Sequence, residues 1–289
     1  MKIIEKRKIF FALSIAFIVI GMIITAVNGL NYGMDFTGGT LIQIDLEKDR
    51  EMSQLREIVD EFDGDASIIS AGENGREIII KSSKNMSSEE SMEVFESFKE
   101  EFKLKSNQPI EVQSIGASIG NEIKRNALIS IAIASIGMLV YISFRFELKF
   151  GISAVIALMH DSLMMVSIYA VFRLSVDSTF IAAILTVIGY SINDTIIVFD
   201  RIRENLGKAK RSESYEEIID KSINMTLKRT LLTSLTTIVP LVLLYVMGVD
   251  SIKNFALPLA IGILVGTYSS IFVASPIWYE LKTRAKKTA

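Results

Sequence analysis

Residues 180–199 read FIAAILTVIGYSINDTIIVF, an apolar run of about the length that crosses a lipid bilayer as a helix. One acidic residue, Asp194, lies inside this run. An aspartate at the centre of the hydrocarbon costs roughly 2.5 to 3.5 kcal/mol on insertion scales, so such residues are rare and mark functional sites. The run therefore predicts a membrane-spanning helix, and its carboxylate indicates movement of a solute or ion across the membrane.

Five further apolar runs of similar length predict an α-helical polytopic membrane protein. Half of the residues are hydrophobic and the mean hydropathy is +0.40, but the grouping of these residues, rather than their number, indicates the fold class. The absence of cysteine excludes disulfides and thiolate-ligated metal sites. The six predicted spans are Ile9–Val27, Ala127–Phe144, Phe150–Phe172, Phe180–Phe199, Thr230–Met247 and Phe255–Trp278.

The distribution of basic residues predicts the orientation. The first span follows a basic segment, as a signal peptide does, but its apolar core of about 19 residues exceeds the usual length of roughly 7 to 15, so we expect an uncleaved anchor. Basic residues also follow spans two, four and six, whereas the other short loops hold only Arg173 and Lys253. Both termini are therefore expected in the cytoplasm. The predicted organisation is 1–29 (N-terminus and span one), 30–121 (external domain), 122–281 (spans two to six, with a cytoplasmic loop at 200–228) and 282–289 (basic cytoplasmic tail).

The polar segment 30–121 predicts one small α+β domain with a ferredoxin-like βαββαβ order between spans one and two. Ser87 and Glu90 have the spacing of a capping box, and Asn74-Gly75 is a hairpin-turn signal. The segment contains no histidine and no phosphate-binding glycine loop, which indicates a binding or leverage module without chemistry. The predicted strands are Gly39–Leu46, Ala66–Ser70, Glu77–Lys81 and Ile110–Ile115, and the predicted helices are Met52–Phe62 and Ser87–Leu104.

Polar side chains in several spans lie at depths where they can form a hydrated path. His160 and Asp161 lie about 14 to 15 Å into span three, and Asp194 lies roughly 8 Å from the cytoplasmic end of span four. Arg229 begins span five at or slightly above the depth of Asp194, and arginine side chains reach over several ångströms. A carboxylate, a guanidinium and an imidazole in this arrangement can transfer protons. Ser191 and Asn193 are further candidates for polar support or relay.

Each of these residues also has a structural interpretation that remains open. Asp194 can be a static helix–helix hydrogen-bond partner, Arg229 an interfacial anchor, and His160 a core histidine satisfied by Asp161. Residues 215–227 have the spacing of an amphipathic helix on the cytoplasmic surface. Small residues predict close helix packing at Gly137, Gly151, Gly189, Gly262 and Gly266.

Several stretches together resemble the SecD/SecF family of bacterial protein-export membrane proteins, within the resistance-nodulation-division superfamily. The resemblance also includes the order of one span, an external ferredoxin-like domain and five further spans, so it covers nearly the whole chain. The matching stretches are GMDFTGGT at 33–40, ALMHDS at 157–162, GYSINDTIIVFDRIRENL at 189–206, TLKRTLLTSLTTI at 226–238 and GILVGTYSSIFV at 262–273.

The resemblance implies a function in protein export. Family members pair as two six-span subunits beside the SecYEG channel and use the proton-motive force to assist an emerging preprotein, which implies the inner membrane of a bacterium. It implies that Asp194 and Arg229 belong to the proton pathway, with SecD, SecYEG and unfolded preprotein as partners. No nucleotide-binding loop is present, so an ion gradient is the expected drive, with H⁺ as the coupling ion and Na⁺ as the alternative. No other cofactor and no nucleic acid is expected.

Three other functions were weighed. A half-transporter of the same superfamily that exports small amphiphiles would need larger external domains. A structural scaffold for channel subunits would need no titrating carboxylate. An intramembrane protease that uses Asp161 and Asp194 as a paired carboxylate site is disfavoured, because a nearby arginine opposes a shared proton. We therefore expect that the protein is not an enzyme.

Overall fold

The computed structural model describes residues 2–72, 76–210, 212–248 and 250–287, and the chain divides into two compact units. One unit contains Met1–Asn31 and Leu128–Ala289, and the other contains Tyr32–Ala127. In chain order the elements are α1 (Arg7–Asn28), β1 (Asn31–Tyr32), α2 (Met34–Thr37), β2 (Gly39–Asp45), α3 (Met52–Phe62), β3 (Ser67–Ala71), β4 (Glu77–Ser82), α4 (Ser88–Phe102), β5 (Glu111–Ile115), α5 (Ala117–Arg145), α6 (Leu148–Val171), β6 (Ser175–Val176), α7 (Ser178–Lys208), α8 (Tyr215–Met247), α9 (Asp250–Ser269), a π-helical turn (Ser270–Ala274) and α10 (Ser275–Lys287).

Six helical segments in the described part of the chain are long and apolar enough to cross a membrane, which confirms the number of predicted spans. The sixth is continuous from α9 through the π-helical turn into α10. Helices α6, α7 and α9 bury about half of their most apolar windows, whereas α1, α5 and α8 bury only 11%. Helices α6, α7 and α9 therefore form the centre of this unit. Helices α1, α5 and α8 present long apolar faces to the surroundings.

The segment 200–228, predicted as a cytoplasmic loop, is mostly helical. Helix α7 continues to Lys208 and α8 begins at Tyr215, so only residues 209–214 connect them, and Arg211 lies outside the described residues. Ion pairs three and four residues apart at Glu204 extend α7 beyond its apolar run, and a capping box at Ser214 starts α8. The amphipathic segment 215–227 is the first part of α8 rather than a separate surface helix.

Close helix contact occurs at some of the glycines and not at others. A Cβ atom on Gly262 would lie 2.2 Å from Val187 Cγ2, and one on Gly266 would lie 2.9 Å from Ser191 Cβ, so α9 packs tightly on α7 at both positions. A Cβ atom on Gly151 would also be too close to a neighbour, but one on Gly137 or Gly189 would meet nothing within 4 Å. The prediction of close packing therefore holds for three of the five glycines.

The second unit has the predicted βαββαβ order, with an antiparallel sheet in the strand order β3-β4-β2-β5. The inward face of the sheet and one face each of α3 and α4 enclose an apolar core that includes Ile44, Leu55 and Phe98. The capping box of Ser87 and Glu90 is present at the start of α4. The predicted Asn74-Gly75 turn lies outside the described residues. This unit confirms the ferredoxin-like prediction.

Steric constraints explain why glycine occupies two consecutive positions where β2 begins. Gly38 and Gly39 have φ angles of 76° and 131°, which side-chain-bearing residues rarely adopt. In addition, a Cβ atom on Gly39 would lie 2.2 Å from the carbonyl oxygen of Ser82 on β4. Glycine is therefore required where the chain leaves α2 and enters the sheet.

Candidate functional site

Asp194 lies on the central helix α7 and has no solvent exposure. Among the described residues, neither of its carboxylate oxygens has a hydrogen-bond partner. Buried charges in proteins are otherwise paired or hydrogen-bonded, because an isolated ionised carboxylate loses its hydration without compensation. The arrangement therefore places a carboxyl group where the presence or absence of one proton changes the local energy strongly.

Helix α8 faces this carboxyl group with hydroxyl side chains. Ser234 faces Asp194 from α8, but its hydroxyl donates to the carbonyl oxygen of Thr230 at 2.9 Å and lies 2.6 Å from Thr267 Oγ1 on α9. Thr230, one turn earlier on α8, has a buried hydroxyl without a partner. The contact between α7, α8 and α9 thus holds several hydroxyl groups near the Asp194 carboxyl group.

Arg229 lies near Asp194 but does not pair with it. Its charge acts on the carboxyl group through space, yet Asp194 is in none of the ion pairs between described residues. The Arg229 side chain is exposed and lines a cavity beside α5 and α7 together with Arg201. The two side chains therefore lie on neighbouring helices, with no ion pair between them in the described part of the chain.

Three other predicted residues form a hydrogen-bonded group between α6 and α7. His160 Nδ1 lies 3.1 Å from Asp161 Oδ1, and Ser191 Oγ donates to Asp161 Oδ2 at 2.7 Å. All three side chains are buried. The His160 ring also stacks on Tyr268 of α9, with the ring centroids 6.1 Å apart. Asp161 is therefore a satisfied carboxyl group, in contrast to Asp194.

A second hydroxyl pair, which the sequence interpretation missed, joins α7 to the sixth span. Thr195 Oγ1 lies 2.8 Å from Ser270 Oγ, and Ser270 Oγ also lies 3.2 Å from the carbonyl oxygen of Ser191. Ser270 begins the π-helical turn, a distortion that often occurs at functional sites. The sequence contains a signal that could have indicated this polar contact, since Ser269 and Ser270 interrupt an apolar run.

Asn193 does not join this site. Ser191, Asp194 and Thr195 are three or four residues apart and share the buried face of α7, whereas Asn193 is exposed on another face. The adjacent Tyr190 donates to the carbonyl oxygen of Thr233 on α8 at 2.8 Å. The structure thus brings together Asp194, Ser191, Asp161 and His160 within the helix centre, with Arg229 at its edge.

The arrangement does not match a paired-aspartate protease. Asp161 accepts from Ser191 and lies beside His160, while Asp194 accepts from no described group, so the two carboxyl groups do not share a hydrogen bond. In the described part of the chain, no group of three or more histidine, aspartate or glutamate side chains is placed to hold a metal ion.

Two family models match the chain. Residues 94–284 match the model "Protein export membrane protein SecD/SecF, C-terminal", and residues 23–49 match the "SecD/SecF GG Motif". The second match contains the Gly38-Gly39 pair, for which the structure supplies the steric reason. The first match contains every candidate residue of the membrane site.

Individual proteins agree with the family models. The chain is 39% identical over 288 residues to the protein translocase subunit SecF of Calditerrivibrio nitroreducens, and the alignment covers 98% of this chain and 94% of that protein. It is 38% identical over 286 residues to the protein translocase subunit SecDF of Bacillus subtilis, of which it covers 38%. These relatives are described as translocase subunits and not as enzymes.

The fold is also that of a solved member. The crystal structure of SecDF from Thermus thermophilus, a translocon-associated membrane protein, superposes with a TM-score of 0.85 at 35% identity and covers 98% of this chain. The chain spans 39% of that structure. Its length instead corresponds to the separate SecF proteins. The chain therefore belongs to the SecD/SecF family of protein-export membrane proteins, as one of its SecF-type members.

Proposed function

We propose that the chain is the SecF-type subunit of the Sec protein-export machinery, where it uses the proton-motive force to assist translocation and release of preprotein. The observation that carries the proposal is the carboxyl group of Asp194, which is fully buried and has no hydrogen-bond partner in the part of the chain that the structure describes. Proton binding at such a site changes the interactions between three spans at once. Family membership supports protein export as the process that this change drives.

Asp194 is the proton-binding group of this proposal, and Arg229 is the cation that responds to it. Ionised Asp194 attracts Arg229 from the cavity edge, and protonated Asp194 releases it, so the two protonation states favour different positions of α8 relative to α7. Movement of one charge through 100 mV supplies roughly 2.3 kcal/mol, which shifts a two-state equilibrium by about fifty-fold. Asp161, His160 and Ser191 support the site by fixing α6 to α7.

The partner of this chain in the proposal is SecD. This chain covers only 38% of the Bacillus subtilis SecDF protein, so that relative contains a longer segment beyond the part that this chain matches. A separate SecD subunit would supply the corresponding segment here. The SecYEG channel and unfolded preprotein are the further partners, and H⁺ is the coupling ion, with Na⁺ as the alternative.

The proposed location is the inner membrane of a bacterium, with both termini in the cytoplasm and the unit Tyr32–Ala127 on the outer side. The excess of basic residues at the N-terminus, after α7 and at the C-terminus supports this orientation. The ferredoxin-like unit is then placed where an exported segment emerges.

Substitution of Asp194 by asparagine tests the proposal, because asparagine keeps the size of the side chain and cannot bind a proton. The variant, assembled with SecD, is expected to export preprotein at the rate seen without a proton gradient, and a gradient should no longer accelerate export. Glu147→Gln is the matched control, since it removes an exposed carboxylate that pairs with Lys282. Full proton-dependent export by Asp194→Asn would favour a scaffold function instead.

Substitution of Arg229 by lysine separates charge from geometry. Lysine retains the positive charge but not the planar donor fork of arginine. Because no carboxylate among the described residues forms an ion pair with Arg229, we expect this variant to keep most of the acceleration by the gradient, whereas Arg229→Gln should lose it. Equal activity of the glutamine variant and the native protein would remove Arg229 from the relay.

A further inference from the structure

A cavity of ≈ 430 Å³ lies between the end of α5 and the facing parts of α7 and α8. Its volume is in the range of small-molecule sites. The end of α5 is held in place, because Phe146 is buried beside Phe150 and the Arg203 guanidinium donates to the carbonyl oxygen of Arg145 at 3.3 Å. The cavity is therefore a built feature of this unit. Its charged lining consists of Arg145, Asp200, Arg201, Glu204 and Arg229.

The positive charges at this cavity outnumber the carboxylates that neutralise them. Asp200 pairs with Arg203 at 2.8 Å. Glu204 pairs with Arg201 at 2.8 Å and with Lys208 at 2.7 Å. Both carboxylates thus already form ion pairs with cations other than Arg145 and Arg229. Among the described residues, no carboxylate lies within ion-pairing distance of Arg145 or Arg229, so two guanidinium groups are available to an anion.

Apart from Thr226, the rest of the cavity lining is aliphatic or aromatic. Tyr141, Phe146, Ile197 and Met225 contribute this wall. Tyr141 is 55% exposed and Met225 is 53% exposed, so the wall opens outward rather than into the helix centre. A ligand that satisfies both parts of the lining has an anionic group and an attached apolar chain.

The position of the cavity matches the headgroup layer of a bilayer. Arg145 is the last residue of the second span, and Asp200 directly follows the apolar run 180–199 of the fourth. Phosphate groups of lipids lie at this boundary, and basic pockets between membrane helices bind anionic headgroups. Arginine binds phosphate through two parallel hydrogen bonds, which suits the guanidinium groups that have no carboxylate partner.

We propose that this cavity is a binding site for an anionic phospholipid, whose phosphate lies between Arg145 and Arg229 and whose acyl chain lies along Tyr141 and Met225. The proposal does not depend on proton relay by Asp194. Because Arg229 also belongs to the proposed relay, the test substitutions are made at Arg145 and Met225.

The test measures lipid binding to the purified full chain in detergent by native mass spectrometry. The probes are phosphatidylglycerol, which is anionic, and phosphatidylcholine, which has no net charge. Phosphatidylglycerol is expected to bind preferentially, and Arg145→Gln is expected to weaken it about fivefold, the effect of one cation at an anionic membrane surface. Arg145→Lys should retain most of the affinity. Lys149→Gln is the matched control, since Lys149 is a cation near the same end of the spans that does not line the cavity.

A second variant tests the cavity without a change of charge. Met225→Trp fills the apolar wall and should lower phosphatidylglycerol binding, while the exposure of Met225 makes the substitution compatible with folding. Equal losses in Arg145→Gln and Lys149→Gln, or equal binding of the two lipids, would overturn the proposal. Displacement of phosphatidylglycerol by inorganic phosphate would also overturn it, because the ligand would then be a free anion. Loss of phosphatidylglycerol on assembly with a SecD subunit would overturn it as well, because protein and not lipid would then occupy the cavity.

Discussion

Ser191 donates a hydrogen bond to Asp161 from α7 to α6, at 2.7 Å and with both side chains buried. Asp194, one turn further along α7, has no such donor. Two carboxyl groups in one membrane unit are therefore held in opposite environments. The satisfied group fixes the helix contact, and the unsatisfied group is the one whose protonation state affects its surroundings most.

The first prediction concerns the hydrogen bond of Asp161. Ser191→Ala leaves a buried carboxyl oxygen without its donor, which should lower the free energy of unfolding by about 1 to 3 kcal/mol. Thermal unfolding in detergent measures the change. Thr186→Ala is the control on the same helix, since its exposed hydroxyl donates only to the carbonyl oxygen of Ala182. Equal melting temperatures for the two variants would argue against a stabilising Ser191–Asp161 bond.

The second prediction compares two glycines with similar sequence context. Gly262→Ala places a Cβ atom 2.2 Å from Val187 Cγ2 and should destabilise the α7–α9 contact by about 1 to 3 kcal/mol. Gly189→Ala meets nothing within 4 Å and should leave stability unchanged or raise it slightly, because alanine favours helix. The double variant Gly262→Ala with Val187→Ala should recover part of the loss. A Gly262→Ala protein as stable as Gly189→Ala would contradict the packing described here.

The same glycines show what the sequence could predict. Length and hydropathy predict spans, because the bilayer thickness sets the number of residues in a spanning helix. They do not predict which face of a helix meets which neighbour, so they do not separate Gly189 from Gly262. The Gly-x-x-x-Gly spacing of Gly262 and Gly266 is the additional signal that favours a packing face there. Ser191 and Asp161 were both candidates, but their hydrogen bond depends on the rotation of α6 against α7.

The ends of the helices and local distortions were harder to predict. Hydropathy ends a span where charged residues begin, yet the backbone of α7 continues past Asp200 because ion pairs along its surface favour helix. The π-helical turn begins at Ser270, whose hydroxyl contacts α7, and no local sequence pattern contains such a contact. The order of strands and helices in the ferredoxin-like unit was predicted correctly, because strand segments and a capping box can be recognised from short stretches of sequence.

The third prediction concerns the orientation of the chain. The protein contains no cysteine, so a single introduced cysteine reports its own position. Ser83→Cys in the ferredoxin-like unit should react with a membrane-impermeant maleimide in intact cells, after removal of any outer membrane. Ser212→Cys between α7 and α8 should react only after the inner membrane is opened. Both positions are exposed in the folded chain, so a difference in labelling reports the membrane side. Reaction of both residues from outside would refute the proposed orientation.

The fourth prediction is a pH dependence of the ferredoxin-like unit that depends on Asp63. The hydrogen bond from Ser82 holds the pKa of Asp63 below its ordinary value, against the opposing effect of burial. The backbone N–H of Asp65 and the charge of Lys84 lower this pKa further. Because the pKa is lower in the folded state, the stabilisation is present above the unfolded pKa of about 4 and is lost as the pH falls through the folded pKa.

Urea unfolding of the isolated unit 32–127, followed by far-ultraviolet circular dichroism at pH 7 and pH 3, measures this effect. Asp63→Ala should lose about 1.5 to 3 kcal/mol at pH 7, because a hydrogen bond to a buried charge is removed. It should also show a smaller difference between the two pH values than the native sequence. Asp65→Ala is the control, since its side chain is exposed and its backbone N–H still donates to Asp63 at 3.3 Å. If Asp63→Ala keeps the full pH dependence, other carboxylates determine the acid stability of the unit, and the bond between Asp63 and Ser82 is a neutral contact.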